Sequence, residues 1–224
     1  MPADPAPWSR RRFLTAGATV AAGLSVAGCS LSRGSTPDES RVEGTGETDW
    51  SGTLVEPPFP KPAVTFTDTD GEPFPFEERT EGRLTLLFFG YTNCPDVCPV
   101  YLNTLARAKE GIGGGPGSKP LVLFVGVDTA RDTPEVMKTY LANIDPAFVG
   151  LTATNEVIAE AIKTVKGAPV VLGEPEPDGS YEVGHPAQVT VYTADGGGRR
   201  IYPYGVRQQD WVKDLPRLDR GEYK

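Results

Sequence analysis

The stretch LTLLFFGYTNCPDVCP at residues 84–99 decides the fold, because an apolar run leads directly into a loop and then a helix start. Residues 84–89 are almost uninterruptedly apolar, which is typical of a strand buried on both faces of a sheet. The composition of residues 100–110 favours a helix that ends at the glycines beginning with Gly111. In an α/β sheet, ligands bind at the loop that follows the carboxyl end of such a strand, here residues 90–99.

Predicted strands and helices also alternate in the sequence before and after residues 84–99. Residues 121–127 predict a second buried strand, and the sequence Asp-Thr-Pro-Glu from Asp132 predicts a capped helix with proline in its first turn. Turn residues at Asp70-Gly71 and Asp195-Gly196 each separate two strand-like segments and predict two hairpins. The remaining predicted elements are a strand at residues 148–152 and helices at residues 156–166 and 208–218.

This order of elements predicts a central sheet covered by helices, and therefore the α/β class. It resembles a thioredoxin-like fold with an extra N-terminal β-hairpin. The polar, proline-broken residues 173–179 predict a surface insertion before the last hairpin. The chain has 224 residues, which is enough for one such domain and an appendage.

The amino-acid composition limits the classes of partner and of binding site that the protein can have. The 22 basic residues against 30 acidic ones give a net charge of −8, which argues against nucleic acid as a partner. With three cysteines, one histidine and two methionines, a site built from soft ligands must use nearly all of them.

The N-terminus carries targeting signals. The sequence SRRRFL at residues 9–14 resembles the twin-arginine export motif, residues 15–28 are weakly apolar, and VAGC at residues 26–29 resembles a lipobox. These signals predict a signal peptide over residues 1–28, a lipid on Cys29, and a protein anchored on the outer face of the cell membrane. The alternative is a plain anchor helix with an incidental cysteine.

The mature chain is predicted to be one domain on a tether. Residues 29–56 form the flexible tether, and residues 57–224 form the domain. Loss of the signal peptide removes three arginines and one aspartate, which leaves 19 bases, 29 acids and a net charge of −10. Because this surface is not attracted to anionic lipid, the lipid on the cysteine has to hold the protein to the membrane.

Cys94 and Cys98 are the first candidate site residues. Placed in the first turn of a helix, two cysteines four positions apart share one face, and the helix start favours their thiolate forms. Such a pair binds a soft metal or closes into a disulfide. A structural disulfide and a thioredoxin-like redox pair stay open as alternatives, although the spacing is C-x-x-x-C rather than C-x-x-C. The peroxiredoxin motif is absent, because it would need proline and threonine at the positions that Leu87 and Tyr91 occupy.

His185 favours a metal. It precedes the predicted strand at residues 188–193, and that strand is expected to neighbour the one that ends at Gly90. A lone histidine is more often a surface residue, but this one is expected to face two thiols. Two thiolates and one imidazole suit copper, whereas zinc normally takes a fourth ligand.

Three blocks carry a family resemblance: GYTNCPDVCP at residues 90–99, VDTARDTP at residues 127–134, and YEVGH at residues 181–185. Together they resemble the Sco/SenC family. The resemblance implies a membrane-tethered, copper-binding domain that serves assembly of the CuA centre in cytochrome c oxidase subunit II, with Cys94, Cys98 and His185 as ligands. It also matches Asp128 to an acidic residue near the site. The alternative for Asp128 is that it caps a helix or braces a loop.

Two positions depart from the family pattern. Asn93 stands where many members have histidine, and Pro186 replaces the small hydroxyl residue that usually follows the ligand histidine. Neither departure changes the three candidate ligands.

Two functions follow from the cysteine pair. One is a copper metallochaperone, which is not an enzyme, and whose upstream copper donor the sequence does not identify. The other is a thiol–disulfide reductase that keeps the oxidase's copper cysteines reduced by cycling Cys94 and Cys98. His185 favours the first function, since dithiol exchange needs no imidazole.

Overall fold

The computed structural model of the protein describes residues 49–112 and 119–224. The predicted signal peptide and Cys29 lie outside the described residues, as do residues 30–48 of the predicted tether. Within the described ranges, no helix has the length and apolar character needed to cross a bilayer. The elements in chain order are β1 (Thr53–Phe59), β2 (Thr65–Asp68), β3 (Pro73–Pro75), α1 (Phe76–Arg79), β4 (Thr85–Gly90), α2 (Val97–Glu110), β5 (Leu121–Gly126), α3 (Pro134–Ala142), β6 (Val149–Thr152), α4 (Asn155–Thr164), β7 (Val171–Leu172), β8 (Val183–Gly184), β9 (Val189–Tyr192), β10 (Gly198–Tyr202) and α5 (Gln208–Asp219).

Eight of the strands form one mixed sheet in the order β1-β10-β9-β4-β5-β6-β2-β3. Its centre, β4-β5-β6, is parallel, and every residue of β4 and β5 is buried. The register pairs Gly90 with Gly126, so the two strands end at the same level. The loops that follow them, which begin at Tyr91 and Val127, therefore leave the sheet side by side.

Strand β9 lies on the other side of β4 and runs antiparallel to it. The register pairs Val189 with Phe88, near the carboxyl end of β4. The amino end of β9 therefore meets the carboxyl end of β4, and the segment before β9 reaches the edge where the cysteine loop begins. The neighbouring arrangement that the sequence predicted for these two strands is confirmed.

Both predicted hairpins form, as β2-β3 and β9-β10. The polar residues 173–180 are exposed between β7 and β8, which form a separate two-stranded sheet. The thioredoxin-like α/β fold with an N-terminal hairpin is confirmed.

The sheet of the domain begins closer to the N-terminus than the sequence suggested. Residues 53–56, assigned to the tether, belong to β1, which pairs with β10 at one edge of the sheet. The segment contains Pro57 and Pro58, which lack an N–H, and an edge strand tolerates this because one side needs no ladder hydrogen bonds. The preceding residues are held as well, since the Ser51 N–H donates to the buried Asp214 carboxylate at 2.8 Å.

Helices α2 and α5 pack against each other and anchor the aromatic part of the core. The Trp211 ring of α5 stacks on Tyr202 with centroids 4.0 Å apart, and it lies 6.3 Å from the Tyr101 ring of α2. The Tyr101 hydroxyl donates to the Tyr202 carbonyl at 3.0 Å. These contacts fix α2, the helix that begins at the cysteine loop.

We predict that Leu87→Ala, in the middle of β4, lowers the free energy of unfolding by about 2–5 kcal/mol, because it leaves a cavity in a fully buried strand. Val212→Ala, on an exposed position of α5, is the control and is expected to change it by less than about 1 kcal/mol. Denaturant unfolding of both variants provides the measurement, and equal effects would contradict the burial argument.

Candidate metal centre

Three side chains from separate parts of the chain converge at the carboxyl edge of β4. The ligand atoms of Cys94, Cys98 and His185 all lie within 4.8 Å of one another, and the Cys98 Sγ lies 3.9 Å from the His185 Nε2. Both cysteines are free thiols and are buried, whereas His185 is partly buried. The structure thus brings together all three ligands proposed from the sequence.

The two cysteines do not share a helix face, contrary to the expectation from their spacing. Helix α2 begins at Val97, so Cys98 lies in its first turn while Cys94 lies in the loop before it. The Cys94 N–H donates to the Tyr91 carbonyl at 3.2 Å in a turn, which curls the loop back over the helix start. The Cys98 N–H then donates to the Cys94 Sγ at 3.4 Å. The start of the helix therefore acts on the sulfur of Cys94.

Gly90 makes room for the site. A Cβ at this position would lie 2.8 Å from the Cys98 Sγ and 2.6 Å from the Phe124 ring, closer than non-bonded atoms approach. Cys98 can sit directly on the end of β4 only because this residue has no side chain. The glycine thus has a packing role that the loop composition alone did not reveal.

His185 is oriented by its neighbours. Its ring packs edge-on against Tyr91 and Phe88, with centroids 5.6 and 6.3 Å apart. Its Nδ1 lies 3.2 Å from the Pro186 carbonyl, and since a carbonyl only accepts, this hydrogen bond places the proton on Nδ1. The lone pair is then on Nε2, the atom that faces Cys98.

Burial shifts the pKa values of two of the candidate ligands, His185 and Cys98. It lowers the pKa of His185, so the ring is neutral at physiological pH and its Nε2 is free to bind a metal. Burial raises the pKa of the Cys98 thiol, which outweighs the helix-start effect expected from the sequence. Metal binding at Cys98 therefore has to displace a proton.

Asp132 holds the cysteine loop, although the sequence indicated only a helix cap there. Its Oδ1 accepts hydrogen bonds from the Thr92 N–H at 2.9 Å and from the Thr92 hydroxyl at 2.7 Å. Its Oδ2 accepts from the Asp128 N–H at 3.2 Å, while Thr133 caps α3. No local signal identifies this role, because Thr92 is 40 positions away in the sequence.

Asp128 acts on the histidine segment. Its carboxylate accepts hydrogen bonds from the Tyr181 hydroxyl at 2.9 Å and from Arg131, whose guanidinium also lies 3.6 Å from the centre of the Tyr181 ring. Tyr181 precedes β8, the strand that leads to His185. These contacts brace the loop before β8. Among the described residues, Asp128 therefore acts on His185 through Tyr181 and the strand that follows it, without a direct hydrogen bond to the histidine.

The donor set fits a metal ion. Bonds of about 2.0–2.3 Å to sulfur and imidazole nitrogen place three trigonal ligand atoms about 3.5–4 Å apart. The 3.9 Å between the Cys98 Sγ and the His185 Nε2 falls in this range, and the other pairs lie within 4.8 Å. The site therefore needs only small side-chain shifts to hold an ion.

Comparison with known proteins shows the family of the chain. The family model described as SCO1/SenC matches residues 56–219, most of the chain and all three candidate ligands. The chain belongs to the SCO1/SenC family.

Relatives of this SCO1/SenC chain include the yeast mitochondrial protein SCO2, which is 34% identical over 152 residues. The aligned part is 68% of this chain and 49% of the yeast protein, so the chain spans about half the length of that relative.

Two solved structures share the fold. Bradyrhizobium japonicum ScoI is 33% identical with a TM-score of 0.59, and the match covers 69% of this chain and 96% of that one. Apo Sco1 of Thermus thermophilus is 32% identical with a TM-score of 0.63, covering 77% and 99% respectively.

We predict that Asp128→Asn leaves the fold intact but lowers the Cu(I) affinity of the SCO1/SenC chain by about 10–100-fold, because the strand leading to His185 loses its charged brace. Tyr181→Phe removes only the hydroxyl contact and is expected to have a smaller effect in the same direction. Thermal unfolding and Cu(I) competition titrations measure the two properties. Wild-type copper binding in Asp128→Asn would refute a supporting role for this carboxylate.

Proposed function

We propose that this SCO1/SenC protein is a membrane-tethered metallochaperone that binds copper and delivers it for assembly of the CuA centre of cytochrome c oxidase subunit II. The observation that carries the proposal is the convergence of Cys94, Cys98 and His185 at one strand end. Assembly of the CuA centre is the role that the family resemblance implies. Subunit II of cytochrome c oxidase is the proposed partner.

Copper suits the donor set better than zinc. Thiolates are soft ligands that favour Cu(I), and imidazole suits copper in either oxidation state. Structural zinc sites usually have four protein ligands, whereas the cluster found among the described residues has three. Bradyrhizobium japonicum ScoI, which is 33% identical, has been solved with copper bound.

The burial of the ligands suits transfer of a cargo ion. Cys98 is fully buried and Cys94 is 9% exposed, whereas His185 is only partly buried, so the site is most accessible on the side of His185. Incoming thiols of an acceptor can replace His185 and Cys94 first and Cys98 last. A three-ligand site favours such exchange because a free coordination position receives the incoming ligand.

A thiol–disulfide reductase is the second candidate. The two sulfurs lie within 4.8 Å of each other, so small movements would close a disulfide. In this function, Cys94 is the attacking thiol, because it is the more exposed of the two and burial raises the pKa of Cys98.

The proposed location is the outer face of the cell membrane. Export by the twin-arginine route and a lipid on Cys29 would anchor the chain, and residues 30–48 would link the anchor to the fixed segment at Ser51.

We predict that the mature protein begins at a lipid-modified Cys29. Mass spectrometry of protein extracted from membranes is expected to show a diacylglyceryl group on this residue, and Cys29→Ala is expected to release the protein from the membrane. Ser30→Ala is the control and is expected to keep the lipid. An unmodified cysteine within an intact N-terminus would overturn this prediction.

We further predict that His185→Ala separates the two functions. The variant is expected to fold and to close the Cys94–Cys98 disulfide, while its copper affinity falls by more than the roughly 10–100-fold typical of losing an outer contact. Oxidase lacking its CuA centre is then expected to accumulate in cells. The control is Glu182→Ala, at an exposed position three residues before His185.

The measurement combines Cu(I) and Cu(II) affinities with oxidase activity in cells that carry the variant. A reductase would keep most of its activity, because both sulfurs remain. Full oxidase assembly despite collapsed copper binding would reject the chaperone function and leave the reductase.

A further inference from the structure

A groove of about 680 Å³ lies where the chain leaves β5, between that loop and α4, and none of the three candidate ligands lines it. Its floor is apolar and includes Val127, Ile158 and Ile162, which are buried side chains of the β5 end and of α4. Its outer wall is formed by Pro169, Val170 and Leu172. The Thr129 hydroxyl, which donates to the Asn155 side chain at 2.9 Å, lies at the groove as well.

The outer wall is unusually apolar for a surface segment. Val171 and Leu172 are 60% and 59% exposed, the highest values among the large apolar side chains of the described residues. They follow Ala168 and Pro169, which are also exposed. Contiguous apolar surface next to an apolar groove is typical of a protein-binding site, because its exposure to water is unfavourable.

This wall is joined to the ligand histidine. Strand β7 pairs with β8, with Val171 opposite Gly184, the residue directly before His185. At the end of α4, Gly167 lies so close to Pro186 that a Cβ would come within 2.8 Å of the proline ring. A protein seated in the groove would therefore contact β7 and Gly167, which pack against the residues directly before and after His185.

The charge of the rim points to the chemistry of the partner. Lys163 and Lys166 are the exposed charges of the groove, because the third charged lining residue, Asp128, is buried and paired with Arg131. The net charge of the chain is −8. Lys163 has only a weak, solvent-exposed pairing with Glu160 at 3.7 Å. Most of the surface repels an acidic protein, whereas this rim attracts one, so charge steers such a partner to the groove.

We propose, on the basis of the proposed function, that the copper-accepting domain docks in this groove and presents an apolar side chain flanked by carboxylates. The apolar side chain packs on the floor and against Leu172, and the carboxylates pair with Lys163 and Lys166. Docking there brings the acceptor against β7 and Gly167, so that its thiols approach the centre from the side of the His185 segment.

The test uses the full-length protein and the apo CuA domain of oxidase subunit II from the same organism. Two groove variants, Leu172→Ser and the double variant Lys163→Glu/Lys166→Glu, are compared with the matched controls Val212→Ser and Arg107→Glu, which lie at exposed positions of α5 and α2. Three quantities are measured: the dissociation constant of the two proteins without copper, the Cu(I) affinity, and the rate of copper transfer.

Each groove variant is expected to weaken association and slow transfer about tenfold or more, as losses at the centre of an interface do. Its Cu(I) affinity is expected to stay within about twofold of wild type, since none of these side chains is a ligand. The difference between wild type and the lysine variant is expected to shrink at about 1 M salt, where the screening length is about 3 Å. The controls are expected to behave as wild type.

Wild-type association in the groove variants, or an equal loss in the controls, would overturn the docking site while leaving the copper function in place. A loss of Cu(I) affinity in the groove variants would also overturn it, because the groove would then shape the metal centre. Association that depends on the groove without copper transfer would support the docking site and reject the metallochaperone. Absence of any association by the wild-type protein would reject the docking site, whatever the copper assays show.

Discussion

The metal centre depends on the close approach of a sulfur atom to a backbone that carries no side chain. The Cys98 Sγ and the Phe124 ring both occupy the space that a Cβ of Gly90 would need. This contact brings the first turn of α2 onto the end of β4, and therefore beside the segment that precedes β9. Any larger residue at this position would move the helix start away from His185, and the three ligands would no longer converge.

Buried carboxylates hold the segments that meet there. Asp132 accepts two hydrogen bonds from Thr92 in the cysteine loop, and Asp128 accepts one from Tyr181 before the histidine. The two are joined because the Asp128 N–H donates to Asp132. Burial raises the pKa of the Asp132 carboxyl, and the hydrogen bonds from Thr92 and from the Asp128 N–H offset this desolvation only in part. A rigid, preorganised ligand set is the result.

The site is thus fixed on one side and open on the other. Cys98 is part of the core and moves only with α2, whereas His185 lies between the β7-β8 hairpin and β9 on a segment that contacts the surface groove. This asymmetry suits the proposed metallochaperone function, in which the protein holds an ion and later releases it to a partner. A fully enclosed site would bind more tightly but exchange its ion more slowly.

Local sequence pattern alone determines much of this protein. The apolar runs, the turn pairs and the helix start at Asp132-Thr133-Pro134 predicted most of the elements and their order, because these signals act over a few residues. The scarcity of soft ligands reduced the candidate metal ligands to Cys94, Cys98 and His185. The chemistry of two thiolates and one imidazole then indicated copper, and the family motifs implied the same metal.

Only the tertiary structure decided what depends on residues far apart in the chain. The pairing of β1 with β10, the hydrogen bonds of Asp132 to Thr92, and the space that Gly90 leaves for Cys98 all involve partners that no local pattern specifies. Protonation was decided there too: the spacing of the cysteines suggested two activated thiolates, but burial raises the pKa of Cys98 because desolvation outweighs the helix start. The sequence names the groups that can react, whereas packing sets their environment.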